Sequence, residues 1–229
     1  MSTLISYPVA GKIGELFAAA RKADQPLHDN LDAMTDEARE EFLRGTHVNE
    51  RNEYREFYGK LRNNYLSISP ELGRLLYAVA IAKHAETIVE FGMSFGISTI
   101  HLAAALRDCG GGKLITTEFE PQKAAAARAT LTQCGLADLV EIREGDAMET
   151  LARDLPGEID LVFLDGAKAL YLPVLKMLEP RLVETGVVVT DNTSHRSAYL
   201  DYVRAPENNY ISIPLPIGDG SEMSVRVRT

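Results

Sequence analysis

The chain has 229 residues, a net charge of −9, and 45% hydrophobic and 25% charged residues. That length suits one substantial core with an N-terminal extension, and the balance of apolar and charged residues argues against disorder. The acidic excess argues against a nucleic-acid surface or an anionic lipid face, both of which need a field of Lys and Arg. The longest apolar run, Leu75–Ala82, falls short of the roughly 18–20 residues a membrane span needs. The opening MSTLISYPVAGK shows no basic stretch followed by an apolar one. Cys109 and Cys134 are too few for a disulfide framework or a zinc site and read as small reduced thiols. The expectation is a cytoplasmic protein with neither a membrane nor a nucleic-acid partner.

Residues 1–69 read as a helical extension of the same domain. Apolar residues recur at helical spacing among charges over Gly11–Arg21, Thr35–Arg44 and Asn49–Asn63. Ser69-Pro70-Glu71 then opens a helix over Pro70–Lys83: Ser caps, Pro suits the first turn, and Glu favours the positive helix end. From residue 70 to 229 the rhythm changes. Strands are expected at Thr87–Phe91, Lys113–Thr117, Leu139–Arg143, Asp160–Leu164 and Val187–Thr190. Helices are expected between them at Ile97–Arg107, Pro121–Cys134, Ala147–Leu155 and Pro173–Leu182. This alternation implies an α/β fold with a parallel sheet covered by helices on both faces. Tyr210–Ile213 and Glu222–Arg228 read as an antiparallel hairpin at the sheet edge.

Ligands of an open parallel sheet bind beyond the carboxyl ends of the strands, so the residues after each strand carry the chemistry. The first strand ends in Glu90-Phe91-Gly92-Met93-Ser94-Phe95-Gly96, an E-x-G-x-x-x-G loop leading into a helix. It lacks the middle glycine of a dinucleotide fingerprint, and Glu90 would repel a pyrophosphate while tolerating a cationic ligand. Glu118, 22 positions beyond Gly96 at the tip of the second strand, is placed to hold both hydroxyls of a ribose. Asp146 reads either as an acceptor for an adenine amine or as the cap of the next helix. The fourth and fifth strands end in Asp165 and in Asp191-Asn192, three hard oxygen donors suited to Mg²⁺, Mn²⁺ or Ca²⁺. Lys168 sits close by in sequence. Desolvation lowers the pKa of an amine and prepares it to act as a base. Tyr171 reads chiefly as packing. His195 is a lone loop histidine.

The motifs VEFGMSFGIS, ITTEFEP, REGDA, LVFLDGAKALY and VVVTDN, in this order and spacing, resemble the S-adenosylmethionine-dependent O-methyltransferases of the catechol and caffeoyl-CoA type over about residues 60–229. The resemblance implies a Rossmann-like, doubly wound, mostly parallel seven-stranded sheet with an antiparallel C-terminal hairpin. It implies that Glu90, Gly92 and Ser98 lie at the methionine end of the cofactor, that Glu118 holds the ribose, and that Asp146 and Ala147 lie by the adenine. Ser67 belongs to the segment before the sheet that touches the cofactor. Asp165, Asp191 and Asn192 are implied as divalent-metal ligands and Lys168 as the catalytic base. The expected acceptor is a small aromatic vicinal diol, and the expected assembly is a homodimer. A metal-free methyltransferase acting on another nucleophile and a non-catalytic cofactor-binding module are the competing readings, separated by metal dependence and by turnover.

Overall fold

The computed structural model describes residues 2–45, 51–193 and 196–228, so His195 and the start of the third expected helix lie outside the described residues. Three N-terminal helices, α1 (Val9–Ala33), α2 (Asp36–Gly45) and α3 (Arg51–Lys60), precede α4 (Pro70–Lys83). Strands and helices then alternate: β1 (Thr87–Phe91), α5 (Ile97–Asp108), β2 (Lys113–Glu118), α6 (Pro121–Gln133), β3 (Val140–Glu144), α7 (Ala147–Thr150) and β4 (Ile159–Leu164). The chain closes with α8 (Tyr171–Leu178), β5 (Leu182–Asp191), α9 (Ala198–Arg204), β6 (Tyr210–Leu215) and β7 (Ser221–Arg226).

The seven strands are ordered β3-β2-β1-β4-β5-β7-β6, with β1 to β5 parallel and β7 antiparallel to both neighbours. The order reverses between β1 and β4, which opens a crevice at their carboxyl ends. Side chains alternate across the sheet with the period of two that a strand imposes. Ile88, Leu161, Phe163, Val187 and Val189 join a cluster with α4, α5 and the α1 residues Val9, Leu16 and Ala20. Val89, Val162, Leu164 and Val188 join one with α8 and α9 on the opposite face. Each fully buried aliphatic side chain there contributes about 1.5–3 kcal/mol. Helix α5 is buried from Ile97 to Leu106, and small residues allow that depth: a methyl group on Gly73 of α4 would stand 2.7 Å from the His101 ring.

Several boundaries differ from the sequence reading. Helix α1 continues past Arg21 to Ala33 through Pro26, because a proline forfeits one ladder bond and the flanking turns carry the helix across it. Helix α7 is one turn long rather than reaching Leu155. The Arg143 guanidinium takes the carbonyls of Thr150, Arg153 and Asp154 at 2.7, 2.7 and 2.8 Å, so the chain there satisfies its acceptors with a side chain. Helix α8 begins at Tyr171 and ends at Leu178, where Pro180 turns the chain into a 3₁₀ segment, and β5 starts at Leu182 instead of Val187. Helix α9 was not expected. Its Ser197 cap accepts the Leu200 N–H at 3.3 Å and it buries Tyr199, Leu200 and Val203. The C-terminal pair is a hairpin, but its second strand lies inside: β7 pairs with β5 and leaves β6, with Pro214, at the edge. That insertion places Ser221 opposite Asp191. Among the described residues no helix is long and apolar enough to cross a membrane.

Candidate active site

The loops after β1, β2, β3 and β4 are knitted by main-chain bonds at the crevice. Met93 N–H donates to Thr117 O at 3.0 Å, Gly145 N–H to Glu118 O at 2.9 Å, and Asp165 N–H to Phe91 O at 2.8 Å. Gly92, at φ +93°, lies against the β4 loop so closely that a Cβ would stand 2.4 Å from the Asp165 carbonyl oxygen. Only glycine fits that position.

Two adjoining cavities open above these loops. The first encloses about 730 Å³ including its mouth and is lined by Gly92, Ser94, Glu118, Gly145, Asp146 and Ala147, among others. Glu118 is buried and accepts two main-chain N–H groups, Ser94 at 2.8 Å on Oε2 and Glu120 at 2.8 Å on Oε1. Burial raises its pKa, and the buried Lys123 ammonium opposes that rise. Asp146 caps α7 through Met148 N–H at 2.8 Å, so the capping reading holds. Its other oxygen accepts the Tyr54 hydroxyl and the Arg55 guanidinium at 3.3 Å, both from α3.

The second cavity encloses about 1130 Å³ including its mouth. Asp165, Lys168, Asp191, Asn192 and Asp219 line one end. Helices α1 to α3 supply Leu27, Leu31, Phe42 and Phe57, and the turn after α3 supplies Leu61. Burial, then the neighbouring Asp191 and Glu90 charges, raises the Asp165 pKa well above the usual carboxylate range. Asp191 is pushed up to about 6, chiefly by burial, while it accepts the Ser221 hydroxyl at 3.2 Å. Burial lowers the Lys168 pKa, and Asp165, Asp191 and Asp219 oppose that shift. Asp165, Asp191 and the partly desolvated Lys168 amine thus lie within one another's electrostatic reach on one cavity wall. Among the described residues no three His, Cys, Asp or Glu side chains converge as a metal site; the donor set here is two carboxylates plus the Asn192 amide. Hard, mutually repelling oxygen donors of this kind fit an oxygen-seeking divalent cation, whose charge would relieve their repulsion.

Of the remaining sequence candidates, Glu90 and Ser98 line neither cavity. Glu90 is fully buried beneath the β1 loop and is absent from the lining of either cavity. Its Oε2 accepts Thr99 and Thr116 hydroxyls at 2.7 and 2.6 Å, and its Oε1 has no partner. Ser98 lies in a small adjoining recess with Ser67, which also lines the second cavity. The 65–67 segment is fixed from both sides. Asp24 of α1 accepts Tyr65 and Leu66 N–H at 2.7 and 3.0 Å, and Ser94 donates to Tyr65 O at 2.7 Å. Sequence reasoning missed Asp24, Tyr54, Tyr58, Lys123 and Asp219. Only Asp219 carried a local signal, inside a Gly-Asp-Gly turn that reads as ordinary hairpin chemistry.

Residues 89–193 match the family model described as "Methyltransferase domain". That match takes in a little under half of the chain. The chain is 34% identical over 140 residues to a catechol O-methyltransferase of Niastella koreensis, covering 59% of this chain and 62% of that protein. It is 36% identical over 129 residues to one of Mycobacterium tuberculosis, covering 56% and 57%. It therefore spans about six tenths of the length of these relatives. Among solved structures, the O-methyltransferase TomG from Streptomyces achromogenes in complex with SAM superimposes with a TM-score of 0.59 at 28% identity, covering 71% of this chain and 82% of that one. The methyltransferase kinship and the mixed seven-stranded sheet expected from the motifs are thus shown.

Proposed function

We propose that the protein is an S-adenosylmethionine-dependent O-methyltransferase that modifies one hydroxyl of an aromatic vicinal diol with the help of a divalent cation. One observation carries this reading. The cavity holding Asp165, Lys168, Asp191 and Asn192 shares Asp165 and Gly166 with the cavity holding Glu118. A donor and an acceptor seated in the two cavities would therefore meet.

Glu118, with its two oxygens already fixed by main-chain N–H groups, accepts the ribose hydroxyls of the donor. Gly92 lets the β1 loop and the β4 loop touch beneath the reacting centre. A divalent cation on Asp165, Asp191 and Asn192 would supply charge that orients both diol oxygens and makes the hydroxyl more acidic. Lys168 Nζ accepts the hydroxyl proton, a task its lowered pKa suits. The acceptor oxygen then forms its bond to the methyl carbon as the carbon–sulfur bond breaks, with the electron pair going to sulfur. Fixed orientation of the two reactants supplies much of the acceleration. The homodimer and the cytoplasmic setting belong to the same proposal. Ile5, Tyr7, Ile211 and Ile213 are exposed apolar side chains available to an interface.

The test is methyl transfer to catechol-type diols and to matched monophenols, before and after exhaustive chelation. Transfer to diols only, lost with chelation and restored by Mg²⁺, is expected. Full activity after metal removal rejects the cation, and absence of transfer to any diol rejects the acceptor class.

A further inference from the structure

Asp24 of α1 is a charged side chain held almost out of solvent, 5% exposed. A buried carboxylate is costly unless hydrogen bonds take the place of water. Here two successive main-chain N–H groups do so, Tyr65 on Oδ1 at 2.7 Å and Leu66 on Oδ2 at 3.0 Å. Leu66 sits at φ +48°, a left-handed conformation that a bulky L side chain rarely holds without an outside restraint. The Asp24 carboxylate supplies that restraint. Asn64 adds a second tie to α1, donating from Nδ2 to Ala23 O at 3.3 Å.

The place of the held segment gives the tie its meaning. Leu66 lines the donor and acceptor cavities alike, and Asp24 itself lines the acceptor cavity. The peptide joining Tyr65 to Leu66 is used at both ends. Its N–H donates to Asp24, and its carbonyl accepts the Ser94 hydroxyl at 2.7 Å. Ser94 N–H donates in turn to Glu118 Oε2 at 2.8 Å. A continuous run of hydrogen bonds thus leads from Asp24 on the acceptor side to Glu118 on the donor side, and linked bonds of this kind polarise and strengthen one another. The Tyr65 ring is fixed as well: it stacks on Phe95 with centroids 4.1 Å apart and planes 20° from parallel. We propose that Asp24 is a positioning residue for methyl transfer: through the Tyr65–Leu66 peptide it holds Leu66 at the junction of the two cavities and ties the α1 wall of the acceptor cavity to the donor seat.

This inference rests on the function proposed above. The experiment compares the native protein with Asp24→Ala, Ser94→Ala and the double variant, at a temperature where thermal melting shows each to be folded. Two quantities are read: Kd for S-adenosylhomocysteine by calorimetry, and the ratio of the two monomethyl ethers formed from an unsymmetrical diol. Asp24→Ala should raise Kd about tenfold and shift the product ratio. Ser94→Ala should also raise Kd, and the double variant should raise it no further than the worse single one, because both side chains act through the same peptide. Asp24→Asn keeps the volume and one acceptor oxygen, and it carries the same comparison where Asp24→Ala does not fold. A folded Asp24 variant with a lower melting temperature but unmoved Kd and product ratio overturns the inference, since Asp24 then serves the fold alone. Fully additive effects of the two substitutions overturn it too, because the acceptor wall and the donor seat are then independent. A native protein that binds S-adenosylhomocysteine but methylates no diol overturns the function reading, and the Kd comparison still decides the tie between Asp24 and Ser94.

Discussion

The donor and acceptor cavities share a floor but are built by different means. The donor wall is mostly main chain at the ends of β1, β2 and β3, held by the parallel register and by the inter-loop bonds of Met93, Gly145 and Asp165. Its shape is therefore tied to the sheet. The acceptor cavity takes its charged end from β4 and β5 and its apolar end from side chains on α1, α2 and α3. Those helices are attached through apolar packing, with Val9, Leu16 and Ala20 of α1 and Tyr54 of α3 in the core, and through polar contacts, among them Asp24 with Tyr65 and Leu66, and Tyr54 and Arg55 with Asp146. Chemistry belongs to the sheet, and the shape presented to the acceptor belongs to the helices.

The deepest cut into this division is at the shared floor. Lys168→Ala should lower kcat by about 10²–10⁴-fold, the usual worth of a positioned base, and leave donor Kd within about twofold. Unchanged turnover removes Lys168 from the chemistry. The pH dependence follows from the direction of its shift. Burial lowers the amine's pKa, so the neutral, proton-accepting form is reached at lower pH than in a free lysine. The rate should rise with pH and level off below 10.5, the ordinary lysine value. A rise that continues past that value contradicts the assignment.

A cut confined to the donor side should separate affinity from turnover. Glu118→Gln keeps the volume but loses the charge and one of the two main-chain bonds. Hydrogen bonds to a charged group contribute about 1.5–3 kcal/mol, so donor Kd should rise roughly 10–100-fold, with kcat at saturating donor retained. A fall in kcat without a change in Kd would mean that Glu118 acts in the transfer step instead.

The same division governs what the sequence reveals. Strand alternation, glycines at sharp loops and acidic residues at strand ends are local signals, so β1 to β4 were legible without coordinates, as was the placing of Glu118, Asp146, Asp165, Lys168, Asp191 and Asn192 on cavity walls at the strand ends. Glu90 shows where locality stops. The strand period turns Val89 and Phe91 to one face and sends Glu90 to the face covered by α5, where Thr99 meets it, so adjacency in sequence did not put it on the cavity wall. Asp24, Tyr58 and Asp219 were not legible for a related reason. Each reaches the site only because an element distant in sequence docks there, and helical periodicity marks a buried face without naming its neighbour.

The smallest effect tests the helical side of the comparison. Phe57 lines the acceptor cavity, with its ring centroid 5.4 Å from that of Phe42 on α2 and 5.1 Å from that of Tyr58. Phe57→Ala removes a half-buried ring from an aromatic cluster in which each pair is worth about 0.5–1.5 kcal/mol beyond its area. For a diol carrying a bulky apolar substituent, the acceptor KM should rise by up to about tenfold, since 1.4 kcal/mol corresponds to that factor. For unsubstituted catechol, which reaches only the charged end, KM should hardly move, and donor Kd should stay constant. An equal penalty on both acceptors would place Phe57 at the shared floor rather than on a separate helical wall. A parallel loss of donor affinity would show that α3 serves both cavities as one unit, and the separation of chemistry from acceptor shape would then fail at its narrowest point.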